Sequence, residues 1–345
     1  MKKIIGLTYD AKDEWQPQEG DPKDLNAEFD PAHAIDQIVG ALESNGYEVK
    51  KIGNVHSLLR QIDHLGVDIV FNIAEGRHGR NRESQVPMLL EMKNIPFVGS
   101  DALTLGLTLD KLMTKKLFMA EGIPTPRFFE AKSADDLKEL NHIGFPLFVK
   151  TRHEGSSKGI NQQSRVNNDE EFKCQVDFVE QTYHQPALVE EFIRGTEFTV
   201  AVLGNEDPQA MPVVQYKIDG SLDLNEKIYT FAHIFNNQVE YVCPAPISED
   251  LAKKLQEIAL KVYKLVDCRD LGRVDFRVDD QGHPYVLEIN PLPCLSKDDT
   301  FFYIAQVLGI SYEEIIGRVL NYGLERYGLN NGKLLNEAAT YGVRH

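Results

Sequence analysis

The sequence predicts a mixed α/β protein, α+β overall, built from two or three packed units. Its first hundred residues alternate between short buried strands and helices, which favours a parallel sheet. The second half contains strands that follow one another, such as LGRVDFRVDD (271–280) and HPYVLEINP (283–291), which we expect to pair antiparallel. With 345 residues, 42% of them hydrophobic, the chain exceeds one typical domain and can bury a large core.

The N-terminal unit is predicted to span residues 1–105. Its predicted strands are IIGLTY (4–9), YEVKKIG (47–53), VDIVFNIAEG (67–76) and IPFVGSD (95–101). Its predicted helices cover 31–46, 55–66 and 82–94, the last interrupted near Pro87. Ligands of parallel sheets gather at the carboxyl ends of the strands, so the loop AEGRHGRNRES (74–84) is a candidate site.

The central unit is predicted to span residues 106–210, and its helical start ends at Gly122, before Pro124 and Pro126. HIGFPLFVK (142–150) is a predicted strand and GINQQSRV (159–166) a returning strand. Between them, RHEGSSKG (152–159) combines glycines, hydroxyls and cations, which favours binding of a phosphate-like anion. The GxxxxGK[ST] order and a following helix are absent, so we interpret this segment as a hairpin flap, with an ordinary hairpin as the alternative. A helix at 168–184 and two strands within 186–204 follow.

The C-terminal unit is predicted to span residues 211–345. It is expected to contain a strand near PVVQYKI (212–218), a polar loop at 219–237 and a helix at 247–267. The two strands at 271–280 and 283–291 come next, followed by a helix at 311–328 and a polar tail after Leu329.

Four polar side chains on the last two strands predict a metal site. Arg273 and Asp275 are two residues apart and so share one face, as do Glu288 and Asn290. Antiparallel pairing would bring the four to one surface, where two carboxylates and an amide oxygen suit Mg²⁺ beside phosphate oxygens. A solvated sheet face with a salt bridge is the alternative, but the flanking residues are those of buried strands, and burying acids without a cation is costly.

The charge and cysteine content exclude several classes of protein. A net charge of -16 and a pI near 5.1 argue against general affinity for nucleic acid or anionic membrane. The four cysteines are far apart without a CxxC pair, which fits reduced thiols in a cytoplasmic protein better than a zinc site or disulfides. The N-terminus MKKIIGLTYD has too few consecutive apolar residues for a signal peptide. No apolar run approaches the ~20 residues that span a membrane.

The order and spacing of several motifs resemble the D-alanine–D-alanine ligase branch of the ATP-grasp superfamily. These motifs are VKTRHEGSSKGI, LVEEFIRGTEFTVAVLG, CPA, LGRVDFRVDD and VLEINPLP, and VFNIAEG with PFVGSDALTLGLTLDKLMTK resembles the N-terminal and linker segments. The resemblance covers roughly residues 67–325. It implies an ATP-grasp fold with an N-terminal Rossmann-like parallel-sheet domain, a central small α+β lid domain and a C-terminal antiparallel-sheet domain.

The resemblance also implies roles for individual residues. Lys111 and Lys150 would contact ATP phosphates, and the flap with Gly155, Ser156 and Ser157 would close over them. Adenosine would be held by Glu190 at the adenine amino group, the Ile193 backbone at the ring and Glu197 at the ribose. Asp275, Glu288 and Asn290 would bind two Mg²⁺, with Mn²⁺ as an alternative ion, and Arg273 would stabilise the oxyanion of a tetrahedral intermediate. The family joins a small carboxylate to an amine through an acyl phosphate, and its members often form homodimers.

The first substrate position departs from the family pattern. Family ligases for D-alanine have a short loop after the first strand whose glutamate holds the substrate ammonium, whereas residues 8–30 here are longer and lack that motif. Asp10, Glu14 and Glu28 are candidate replacements, with solvated loop acids as the alternative.

The loop after the third strand departs as well. Glu75 replaces the family histidine, and Arg80-Asn81 replaces an acidic pair, so a substrate with a second carboxylate is expected. The alternative is that Arg80 and Arg82 pair with Glu75 and Glu83.

The amine position departs too. Cys294 falls on a family glycine and Asp299 on the serine that binds the carboxylate of the incoming amino acid. Because an aspartate repels a free carboxylate, we expect an amine other than D-alanine: one with a second amine, one without an α-carboxylate, or one whose carboxylate Lys297 binds. Of the 219–237 loop, Lys227, Tyr229 and His233 are candidates for the site.

Three hypotheses for function follow. The first is an ATP-dependent ligase that joins an amino acid or similar acid to an amine other than D-alanine. The second is a D-alanine–D-alanine ligase of cell-wall synthesis, and the third is a catalytically silent ATP-binding protein. A Rossmann dehydrogenase is disfavoured because no GxGxxG follows the first strand.

Overall fold

The computed structural model describes residues 2–137, 143–236 and 238–330. Within these ranges the chain forms three β-sheets. The first is a parallel sheet of order β2-β1-β3-β4, formed by β1 (Ile4–Tyr9), β2 (Glu48–Gly53), β3 (Ile69–Ile73) and β4 (Phe97–Val98). Its connections contain α1 (Ala32–Ser44), α2 (Val55–Gln61) and α3 (Gln85–Met92). The predicted parallel sheet of alternating strands and helices is therefore confirmed.

Proline 87 does not interrupt α3. It is the third helical residue, within the first turn, where a backbone N–H has no acceptor inside the helix. The predicted break is wrong for this reason.

Two further helices, α4 (Ala102–Leu109) and α5 (Lys111–Ala120), lead from the first sheet to the second. They meet at Asp110, whose side chain accepts a hydrogen bond from the Met113 backbone N–H at the start of α5.

The second sheet is antiparallel, with order β5-β8-β6-β7. It consists of β5 (Phe128–Ala131), β6 (Leu147–Thr151), β7 (Arg165–Val166) and β8 (Ala187–Glu191), and α6 (Asp169–Tyr183) packs its apolar side chains on one face. The predicted returning strand at 159–166 is wrong for most of its length. Only two residues pair with β6, since a turn and a short 3-10 helix at Gln162–Ser164 precede them.

The third sheet is antiparallel and begins before the predicted boundary at residue 210. It contains β9 (Gly195–Leu203), β10 (Gln209–Ala210), β11 (Val214–Ile218), β12 (Val239–Val242), β13 (Leu271–Asp279) and β14 (Pro284–Asn290). The order is β12-β11-β9-β13-β14, with β10 on β9. Strand pairing thus changes from the second to the third sheet between β8 and β9. Gly195 permits this change, because a Cβ there would lie 1.9 Å from the Val278 carbonyl oxygen.

Four helices complete the fold: α7 (Phe231–Phe235), α8 (Glu249–Leu265), α9 (Thr300–Leu308) and α10 (Tyr312–Arg326). Helix α8 buries Leu255 and Val262 against the third sheet, while α10 packs with α1 and the first sheet in one shared core. The tail at 331–345 and the predicted strand start at His142 lie outside the described residues. Within the described ranges, no helix combines the length and apolar character needed to cross a bilayer.

Candidate active site

A cavity of about 550 Å³ is lined by residues from all three sheets. Among the predicted site residues, Arg80 and the candidate replacements Asp10 and Glu14 do not line this cavity. Its wall includes fifteen others: Glu75, Lys111, Lys150, Gly155, Ser156, Ser157, Glu190, Ile193, Glu197, Arg273, Asp275, Glu288, Asn290, Cys294 and Asp299. These residues are up to 224 positions apart in sequence, from Glu75 to Asp299. Convergence of this charged set on one cleft identifies the cavity as the candidate active site.

The predicted pairing of the last two strands is confirmed. Arg273 is opposite Asn290 and Asp275 is opposite Glu288, so all four side chains reach the same surface. The Asn290 amide donates to Asp275 Oδ2 at 2.9 Å, and Arg273 Nε and Nη2 lie 3.2 and 3.3 Å from the two Asp275 oxygens. Burial raises the Asp275 pKa, with Arg273 opposing and Glu288 reinforcing the change. A cation at this surface would favour the ionised form of both carboxylates.

Lys111 and Lys150 bring positive charge to the cavity wall, and the buried Lys115 shares Glu190 with Lys150. Lys150 Nζ lies 3.0 Å from Glu190 Oε2, and Lys115 Nζ lies 2.7 Å from Glu190 Oε1. Burial opposes ionisation of Glu190, but Lys115 and Lys150 together lower its pKa. Lys111 lies 3.5 Å from Glu288 and also donates to the Glu154 carbonyl of the flap. Lys111 and Lys150 can therefore present cationic groups to a polyphosphate.

The flap is held by the long N-terminal loop. Glu28 accepts from the Gly155 backbone N–H at 2.5 Å and from Lys158 at 3.3 Å, while Arg82 donates to the same carboxylate at 2.5 Å. Burial opposes ionisation of Glu28, but Arg82 and Lys158 lower its pKa to about 2. A Cβ at Gly155 would lie 2.9 Å from Glu28 Oε1, so a side chain at this position would displace the Glu28 carboxylate.

A second loop carboxylate, Asp24, also binds the flap. It accepts from the Gly159 backbone N–H at 2.8 Å and from the Tyr183 hydroxyl at 2.8 and 2.9 Å. The two acids contact both ends of the segment Gly155–Gly159. The N-terminal loop and the flap therefore form one hydrogen-bonded unit over the cavity.

Glu197 is oriented by Arg277, which donates to it at 2.5 Å. Arg277 also donates to the carbonyls of Asn225 and Lys227 at 2.9 Å, and its guanidinium lies 5.1 Å from the Phe192 ring centre. Of the three loop candidates from the sequence, Tyr229 lines the cavity, whereas Lys227 and His233 do not. Arg277 thus fixes a carboxylate, an aromatic wall and a loop at one end of the cavity.

Arg80 and Arg82 of the 74–84 loop bind protein side chains, and neither lines the cavity. Arg80 donates to Asp110 at 2.7 Å, and its side chain is 58% exposed. Arg82 pairs with Glu28 and donates to the His153 carbonyl at 2.7 Å. Neither arginine pairs with Glu75 or Glu83, so the alternative pairing is wrong. The expected contact with a second substrate carboxylate stays a prediction, although both arginines already have protein partners. The partners lie on distant segments that local sequence does not reveal.

Asp299 forms an ion pair with the predicted oxyanion arginine. Arg273 Nη1 lies 3.4 Å from Asp299 Oδ1, the Tyr241 hydroxyl donates to Oδ2 at 3.3 Å, and the Thr300 N–H donates at 2.6 Å. Lys297 instead binds Glu313 at 2.9 Å. This lysine is therefore not placed to receive a carboxylate beside Asp299.

Cys294 lines the cavity. Desolvation by the surrounding protein raises its pKa, and the nearby Asp299 raises it further. Nucleophilic chemistry at this cysteine is correspondingly disfavoured.

Comparison with known proteins places this geometry in a family. Residues 117–321 match the family model described as the D-ala D-ala ligase C-terminus. A D-alanine–D-alanine ligase of Pelotomaculum thermopropionicum is 32% identical over 85% of this chain and 91% of its own length. The chain belongs to the D-alanine–D-alanine ligase family of ATP-grasp ligases. An uncharacterised protein of Sinorhizobium fredii is 35% identical, over 87% of this chain and 89% of its own.

Solved structures of the family share the fold. The D-alanine–D-alanine ligase of Bacillus anthracis in complex with ATP has a TM-score of 0.72 and 23% identity, covering 94% of this chain and 99% of that one. The VanG D-Ala:D-Ser ligase of Enterococcus faecalis has a TM-score of 0.71 and 21% identity, covering 94% and 100%. The predicted ATP-grasp fold is confirmed.

Sequence reasoning missed several residues that shape this family site. Lys115 follows Lys111 by four residues on α5, and this helical spacing was an available signal for a second buried lysine. Asp30 and Glu83 line the cavity, and burial raises the pKa of each to about 7. No local pattern marks Asp24, which acts only through the distant flap.

Proposed function

We propose that the protein is an ATP-dependent ligase that joins a carboxylate to an amine through an acyl phosphate. Family membership supports this reaction class. The observation that carries the proposal is one cavity with Lys111 and Lys150 near the flap and Asp275, Glu288 and Asn290 on the paired strands β13 and β14. Such a cavity suits a metal-bound polyphosphate.

The first step activates the acid. A carboxylate oxygen of the substrate forms a bond to the γ-phosphorus as the bond to ADP breaks, which gives an acyl phosphate and ADP. Lys111, Lys150 and the flap residues Ser156 and Ser157 would neutralise and bind the phosphate oxygens. The flap would also keep water from the acyl phosphate.

The donor set fits Mg²⁺. Asp275 and Glu288 supply carboxylate oxygens, and Asn290 leaves its amide oxygen available because its amide nitrogen binds Asp275. Within the described part of the chain, no three acidic, histidine or cysteine side chains form a metal site alone, so phosphate oxygens would complete the shell. When bound, the metal would offset negative charge on the transferring phosphoryl group.

The second step forms the C–N bond. The amine nitrogen attacks the acyl carbon, phosphate leaves, and the nitrogen loses a proton. Arg273 would stabilise the oxyanion of the tetrahedral intermediate, since its guanidinium lies on the same surface as the metal-binding side chains.

We infer further that the amine is not D-alanine. Asp299 already pairs with Arg273 and lines the cavity where the family has a serine for the substrate carboxylate. Two carboxylates about 4 Å apart repel by about 1 kcal/mol in water and by more in a protein site. An amine with a second amino group, or without an α-carboxylate, avoids this repulsion.

Phosphate release with ATP, Mg²⁺ and a panel of acids and amines tests the proposal, with product masses measured in parallel. We expect ligation of an acid to an amine other than D-alanine, and loss of turnover in Glu288→Gln. Robust activity with D-alanine as the only acid and amine would overturn the inferred amine. Nucleotide binding without phosphate release across the panel would support a silent ATP-binding protein instead.

A further inference from the structure

Two carboxylates of the 74–84 loop line the cavity without a protein partner. Glu83 is only 8% exposed, yet it forms no hydrogen bond or ion pair with any residue in the described ranges. Glu75 is partly buried, lines the same cavity and likewise lacks such a contact. A buried carboxylate without a counter-charge is costly to keep ionised. A group that enters the cavity can remove that cost.

The nearby cations are already bound elsewhere. Arg77 lies 3.4 Å from Glu14 and 3.8 Å from Asp10, and Arg80 binds Asp110. Arg82 shares Glu28 with Lys158 and the Gly155 backbone N–H. The loop that is rich in arginine therefore presents acidic groups to the cavity.

Their position favours contact with the acid substrate. Lys111 and Glu288, which lie 3.5 Å apart where phosphate and metal are expected, both act electrostatically on Glu83. The carboxylate to be phosphorylated must lie beside that phosphate. We therefore assign a substrate group that reaches Glu83 to the acid, which must lie beside the phosphate before the amine reacts.

We propose that Glu75 and Glu83 bind cationic groups of the acid substrate, and that this acid is a basic amino acid with a side-chain ammonium or guanidinium besides its α-ammonium. The inference rests on the proposed ligase reaction. Two carboxylates without protein partners are matched by two positive charges on one substrate. An acid with a second carboxylate would instead meet like charge.

Hydroxylamine trapping tests this without knowledge of the amine. Its nitrogen forms a bond to the acyl carbon as phosphate leaves, and the hydroxamate product reports activation of the acid alone. Lysine and norleucine form a matched pair that differs in the side-chain ammonium, and both enantiomers are measured beside arginine, alanine and succinate. We expect hydroxamate from lysine with a kcat/KM about tenfold or more above norleucine. Glu83→Gln should reduce this ratio by about tenfold and leave the KM for ATP unchanged.

Glu91→Gln is the matched control, because Glu91 is an exposed glutamate on α3 beyond the cavity. Its lysine-to-norleucine ratio should equal that of the parent protein. The inference is overturned if norleucine, alanine or succinate matches the better of lysine and arginine, or if Glu83→Gln changes the Mg²⁺ requirement while the preference for the basic acid persists. Hydroxamate from none of the acids, at any Mg²⁺ concentration, would instead remove the ligase proposal itself and this inference with it.

Discussion

Replacing Glu28 with glutamine should destabilise the protein at neutral pH. The side chain keeps its size but loses the charge that binds Arg82 and Lys158. These partners lower the Glu28 pKa from 4.5 to about 2 against the effect of burial. At about 1.4 kcal/mol per pKa unit, the carboxylate contributes about 3 kcal/mol at pH 7.

The sign of the pH dependence follows from the lowered pKa. Stabilisation by Glu28 is present above its ordinary value of 4.5 and is lost as the pH falls toward about 2. The difference in unfolding free energy between Glu28→Gln and the parent should therefore be about 3 kcal/mol at pH 7 and shrink steadily below pH 4.5.

Urea denaturation followed by the fluorescence of Trp15 provides the assay. Trp15 is the sole tryptophan of the chain. Its ring centre lies 5.4 Å from that of Phe29, the residue that follows Glu28 in sequence. Glu91→Gln should unfold like the parent at every pH. A loss below about 0.5 kcal/mol at pH 7, or one that grows on acidification, would refute the assigned role of Glu28.

Three further predictions concern the cavity. Glu83→Gln should raise the unfolding free energy above pH 7, because burial raises the Glu83 pKa to about 7 and ionisation then costs stability as the pH rises from 4.5. Urea denaturation should show a smaller stability difference between pH 5 and pH 8 for the variant than for the parent, and an equal difference would contradict this reasoning; the raised pKa of Asp30 remains in both proteins. Arg277→Lys should raise the KM for ATP about tenfold in steady-state kinetics with little change in kcat, because the substitution removes the guanidinium contact that orients Glu197. An unchanged KM would contradict this. Asp299→Ser should admit amines that carry an α-carboxylate, measured as product mass with D-alanine, and continued rejection would oppose a charge-based exclusion.

Sequence reasoning predicted the elements whose signal is local. The runs at β1, β3 and β14 are apolar enough to mark buried strands, and α6 begins at the capping residue Asn168. Elements that depend on distant partners were missed: β12 exists through its pairing with β11, and half-buried residues give it no pattern of its own.

In the active site, too, features with a local sequence pattern were predicted and contacts between distant segments were not. Arg273, Asp275, Glu288 and Asn290 could be placed on one surface because strand periodicity fixes which face each side chain occupies. Partner choice among charged side chains could not be predicted. Arg82 and Glu28 are 54 residues apart, and nothing in the local sequence distinguishes Glu28 from the other acids of the loop.

Because Glu28 binds the flap, we expect other carboxylates to bind the positive groups of the substrate. Each Glu28 oxygen already accepts from the protein, Oε1 from Arg82 and Gly155 and Oε2 from Lys158, so this side chain has little capacity left for a substrate ammonium. Glu75 and Glu83 have no such partners and face the same cavity. Because the N-terminal loop binds the flap, the 74–84 loop remains available to bind the acid. Flap closure and the preference for a positively charged substrate should therefore respond to different substitutions. Glu28→Gln should then change stability and flap closure while keeping the preference for lysine over norleucine, whereas Glu83→Gln should change the preference without loss of stability.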